Sequence, residues 1–83
     1  MVNKKDIEDK VLHLISITLN IPKSKIDTNS SMKSIHEWDS LAHLNIVLAM
    51  EESLEIQLDL DELAVISSVQ DWVEIFIKYQ DME

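Results

Sequence analysis

The chemistry legible in this sequence gathers at Asp39-Ser40-Leu41, where a stretch of turn-forming residues gives way to an apolar helical pattern. Aspartate is a strong N-cap residue, so Asp39 is expected to close the helix start and Ser40 to be its first residue. A serine there is exposed, and its hydroxyl lies beside backbone N–H groups that no helical carbonyl can reach. That end of a helix favours negative charge by about 0.3–1 kcal/mol at exposed sites. A phosphodiester formed on the Ser40 oxygen would sit well in that field. Taken alone, Asp-Ser ahead of an apolar helix is also an ordinary capping signature with no further role.

Other chemistries find less support. There is no cysteine, which removes thiolate nucleophiles and disulfides. His13, His36 and His43 show no zinc-ligand spacing. Asp59, Asp61 and Glu62 lack the glycine and ligand ladder of a calcium loop and read as an acidic helix start, so no metal is expected. No histidine–acid pair adjoins Ser40 in a triad arrangement, and the chain is not expected to be an enzyme. A hydrolase built on Ser40 is the weakest reading. His43 falls one helical turn after Ser40 on the same face. It reads as a solvated surface histidine, with contact to the phosphate, Asp39 or a partner as the other options.

The elements that must hold these residues follow from periodicity. Residues 3–19 are predicted to form a first helix, capped by Asn3, with Ile7, Val11, Leu14, Ile15 and Leu19 as its stripe. Ile21-Pro22 should end it, because proline disfavours helix in the residue before it. Residues 20–38 have no period and are rich in Ser, Asn and Asp, which predicts a long loop. Ile26, Met32, Ile35 and Trp38 are its candidate anchors to the core. Residues 40–54 predict a second helix with Leu41, Leu44, Val47, Leu48 and Leu54 on one face. Ala42, Ile46, Ala49 and Met50 spread its apolar character further, as in a helix that is central or has a docking face. Asp59 should cap a short helix. Ser68, with Asp71, should cap a last one bearing Val69, Trp72, Val73, Phe76 and Ile77. The expected fold is all-α: a small four-helix bundle of three main helices and a short one, with a long loop between the first two.

The chain has 83 residues, 46% of them hydrophobic, which suits one domain over residues 1–83 and excludes a disordered acidic tail. The net charge of −9 is uneven: residues 1–36 carry +2 and residues 37–83 carry −11. Such a field repels nucleic acid and anionic membranes and suits partners with basic patches. Neither a signal peptide nor a membrane span is read from the sequence. A cytoplasmic protein is expected, and with no heptad seam, a monomer.

Asp39-Ser40-Leu41 resembles the Asp-Ser-Leu attachment motif of acyl carrier proteins and related thiolation domains. The likeness covers nearly the whole chain: long first helix, long loop, motif, Glu51-Glu52-Ser53-Leu54, short acidic helix, and the Ile66-Ser67-Ser68-Val69-Gln70-Asp71 opening of the last. The resemblance implies that Ser40 is esterified to 4′-phosphopantetheine from coenzyme A by a phosphopantetheinyl transferase. Asp39 would assist magnesium during that transfer. The arm would then carry acyl or aminoacyl groups as thioesters. It further implies docking through Leu41, Leu48, Glu51 and Glu52. The partners would be an acyl- or aminoacyl-activating ligase and downstream acyl-using enzymes of lipid or secondary metabolite biosynthesis. Ala42 and Asn45 stand where many fatty-acid-pathway carriers have acids, and Glu37-Trp38 where many have glycine. These departures suggest a specialised free-standing member with dedicated enzymes. Trp38 would either close the helix start or touch the arm. The competing reading is a non-catalytic acidic helical interaction module, an adaptor or inhibitor, in which Ser40 stays unmodified.

Overall fold

The computed structural model describes residues 3–81. Residues 1–2 and 82–83, part of the expected single domain, lie outside the described residues. Four helices follow one another: α1 (Lys4–Leu19), α2 (Ser40–Leu54), α3 (Leu60–Val65) and α4 (Val69–Asp81). The long segment between α1 and α2 carries a single 3-10 turn at Lys23–Lys25. This is the all-α arrangement the periodicity predicts. Among the described residues no helix is long and apolar enough to cross a membrane.

α1 begins where Asn3 accepts the Lys5 N–H at 2.9 Å. Ile7, Val11, Ile15 and Leu19 are buried along one side, while Leu14 lies at the margin of the stripe, half-buried. The helix ends before Pro22 can act. Asn20 takes a left-handed conformation at φ 57°, its N–H reaching the Ile17 carbonyl, and the Ile21 N–H reaches Ser16. The chain has no glycine for this role, and asparagine is the next best tolerated residue there.

The loop is tied down rather than loose. Asp27 and Ser30 bond each other's backbone and side chains, closing a turn around Asn29. The Met32 N–H donates to Ser67 at 2.9 Å and the Val69 N–H to Ser30 at 3.0 Å, joining the loop to the start of α4. Ile26 and Trp38 are buried and Met32 and Ile35 half-buried, so all four expected anchors face the core.

α2 is apolar over most of its circumference, and here the expected face is rotated. Ile46, Val47 and Met50 are buried, whereas Leu41, Leu44 and Leu48 are exposed. A helix this apolar gives period alone no means of choosing a side. The choice is made by α1 and α4, against which α2 packs. α4 presents Val69, Trp72, Val73 and Phe76 to the core, with Ile77 half-buried. The Asp71 N–H donates to Ser68 Oγ at 3.1 Å, and Asp71 in turn accepts from Ser67 rather than Ser68, one residue off the usual reciprocal pair.

α3 buries no residue fully. One polar clamp secures it: Glu62 accepts from the Tyr79 hydroxyl at 2.7 Å and from Lys78 Nζ at 3.1 Å. The Tyr79 hydrogen bond, with help from Lys78, holds the Glu62 carboxyl below its ordinary range and raises the tyrosine.

Candidate attachment site and docking face

α2 starts at the junction the sequence marks. Asp39 has extended backbone, and its Oδ1 accepts the Ala42 N–H at 2.8 Å while its carbonyl accepts the His43 N–H at 2.8 Å. The Ser40 and Leu41 N–H groups therefore open the helix without an intrahelical acceptor. Asp39 and Ser40 are both exposed. Substituting such a cap costs about 0.5–2 kcal/mol, so Asp39 has a structural task whatever its chemistry. The hydroxyl of Ser40 stands at the positive end of a four-turn helix, open to an approaching enzyme.

Behind this exposed pair lies a buried aromatic wedge. Trp38 is 1% exposed and packs into the core beneath the helix start. Its indole Nε1 donates to His43 Nδ1 at 3.1 Å, and the two rings stack with centroids 6.1 Å apart. The ring of Trp72 from α4 lies tilted to that of His43, with centroids 6.4 Å apart. His43 is thus not the solvated surface residue expected from its spacing. It is half-buried, and burial lowers its pKa below 6.5. The spacing to Ser40 is real, but the inward side of α2 at this position is set by the aromatic neighbours, which periodicity did not reveal. Trp72 Nε1 is buried with no hydrogen-bond partner among the described residues.

The outer face of α2 carries Leu41 (70% exposed), Leu44 (61%) and Leu48 (63%), one above another at helical spacing. Leu60, at the start of α3, adds a further exposed leucine. Monomers seldom present several large apolar side chains together without using them. Of the four residues expected to dock, Leu41, Leu48 and Glu52 are exposed. Glu51 is half-buried, and its Oε2 accepts the Leu58 N–H at 2.8 Å, so it braces the turn after α2. Leu44, read from sequence only as part of an apolar face, belongs to the exposed stripe. Among the described residues no group of three or more His, Cys, Asp or Glu is placed to hold a metal ion.

The site thus joins an exposed serine at a helix start to an open leucine stripe on the same helix. No family model matches the chain. It is, however, similar to the acyl carrier protein of Cyanidium caldarium, 32% identical over 77 residues that span 93% of this chain and 90% of that one. Acyl carrier protein 3 of Ralstonia nicotianae is 32% identical over 65 residues, 78% and 75% of the two chains. The acyl carrier protein of Guillardia theta is 30% identical over 73 residues, 88% and 90%. The chain belongs to the acyl carrier protein family, and its function is that of a carrier.

Proposed function

We propose that this protein carries acyl or aminoacyl groups on a 4′-phosphopantetheine arm borne by Ser40. The observation that supports the reading is the exposed Ser40 hydroxyl at the start of α2, beside N–H groups that helix geometry leaves free. A bridging phosphate there is stabilised by the helix end. In the attaching step the Ser40 oxygen bonds to the phosphorus that bears the pantetheine portion of coenzyme A. The pyrophosphate bond breaks, the adenosine bisphosphate portion leaves, and the serine proton passes to a base of the transferase. The arm's thiol then holds cargo as a thioester.

Asp39 supports this step with its free carboxylate oxygen, Oδ1 being engaged by Ala42. A lone carboxylate does not build a magnesium site. The ion would be held chiefly by the transferase and the coenzyme A phosphates, as magnesium commonly is. Once the arm is attached, Ser40 is a tether, and turnover belongs to the enzymes that load and unload it.

Those enzymes are a ligase and acyl-using partners that meet the Leu41–Leu44–Leu48 stripe, with Glu52 at its end offering charge to basic patches. Intact mass tests the reading. With a promiscuous phosphopantetheinyl transferase and coenzyme A, the chain should gain one phosphopantetheine group and a Ser40→Ala variant none. An unchanged wild-type mass with a transferase active on another carrier would favour the acidic interaction module.

A further inference from the structure

The contact between Trp38 and His43 joins the end of the loop to the second turn of α2, with Ser40 between them. An indole N–H can only donate. With Nε1 at 3.1 Å from Nδ1, His43 must accept at that atom and carry its single ring proton on Nε2. The backbone repeats the tie, because the His43 N–H donates to the Asp39 carbonyl and the Trp38 N–H to Ile35. Residues 38–40 are therefore held at both sides of the serine.

We propose that His43 is a positioning residue for Ser40: as a neutral acceptor it latches the Trp38 indole and so fixes the approach of the chain into α2, and protonation at Nδ1 releases the latch. The effect on arm attachment rests on the Ser40 reading; the latch itself does not. Protonating Nδ1 sets two N–H groups against each other across a stacked ring pair, and Trp38, 1% exposed, has no water to turn to. The rings that face His43 are Trp38 from the loop and Trp72 from α4, both uncharged. Asp39, on its own helix, has turned its carboxylate to the Ala42 N–H. Asp71, beside Trp72 in sequence, bonds the Ser67 N–H. Among the described residues neither carboxylate hydrogen-bonds the His43 ring, and burial is the one cause that lowers the His43 pKa.

The test has two arms on the full chain. Nitrogen-15 spectra should show His43 as the Nε2–H tautomer near neutral pH. The Trp38 indole signal should shift with the His43 titration, at a midpoint below 6.5. In the second arm, arm-transfer rates are compared for wild type, His43→Gln and His43→Leu across the same pH range. Glutamine offers an uncharged acceptor. The Gln variant should keep most of the wild-type rate at neutral pH and overtake it on acidification, and the Leu variant should be several-fold slower throughout. An indole signal indifferent to His43 titration overturns the latch. Equal rates for Leu and wild type, with the Gln variant tracking wild type at every pH, overturn the positioning role. Failure of wild type to accept the arm at any pH would instead remove the Ser40 reading, with the indole signal still deciding the latch.

Discussion

At the scale of single residues, Asp39 and His43 each hold Ser40 in a different way, and substitutions separate structure from chemistry. Asp39→Ala removes the cap on α2 and should lower unfolding free energy in urea by about 0.5–2 kcal/mol. Asp39→Asn keeps a side-chain oxygen for the Ala42 N–H. It should retain most of the stability yet accept the arm more slowly, because the charge near the transferred phosphate is lost. A full loss of stability in the Asn variant would mean that the carboxylate charge, not the cap, is what matters. His43 makes a pH prediction of definite sign. Its folded pKa lies below the ordinary 6.5, so between those values the unfolded chain binds more protons. Its contribution to stability is therefore fully present above 6.5 and is lost as pH falls through the lowered value. Thermal midpoints of wild type should fall relative to His43→Gln over that window and run parallel to it above. The Asp39-Ser40 junction could be read from the chain because capping is a local property of residue type. The inward turn of His43 could not, since it depends on Trp38 and Trp72 arriving from two other elements.

At the scale of elements, helix existence was legible and helix orientation was not always so. α1 and α4 have one apolar stripe each, and the stripes read from periodicity are largely those that are buried. α2 is apolar on several sides, and only its packing on α1 and α4 shows that Ile46, Val47 and Met50 point inward. Stability should follow the burial. Met50→Ala is expected to cost about 2–5 kcal/mol in chemical unfolding. Leu48→Ser should fall within about 0.5 kcal/mol of wild type, while weakening use of the carrier by a partner enzyme. A large loss from Leu48→Ser would place that side chain inside rather than on a docking face. The helix ends carry a cost that the composition imposes. With no glycine available, Glu55 closes α2 in the left-handed conformation at φ 56°. A side chain with a Cβ pays about 1–2 kcal/mol there, against which glycine loses some chain entropy. Glu55→Gly should therefore raise the unfolding free energy by up to about 1 kcal/mol, and a loss would show that the Glu55 side chain contributes elsewhere.

At the scale of the whole molecule, the chain divides its work between two faces of one helix. The inner face of α2 belongs to a core filled by Trp38, Trp72 and Phe76, and the outer face is left as an open leucine stripe in the acidic half of the chain. α3 buries no residue fully and is joined to α4 through the Glu62–Tyr79–Lys78 clamp, which leaves it less firmly seated than the three long helices. Charge asymmetry and the four-part order of elements were visible in the sequence. The tie between Ser30, Met32, Ser67 and Val69 was not, because loop-to-loop pairing has no period to betray it. All of these features serve one claim, that Ser40 bears the arm. It is tested most directly by locating the modification: chain produced together with a phosphopantetheinyl transferase is digested and fragmented in a mass spectrometer. The account predicts one phosphopantetheine group, found on the peptide that contains Ser40 and assigned to that residue. The group on another serine, or none on a chain exposed to an active transferase, would contradict it.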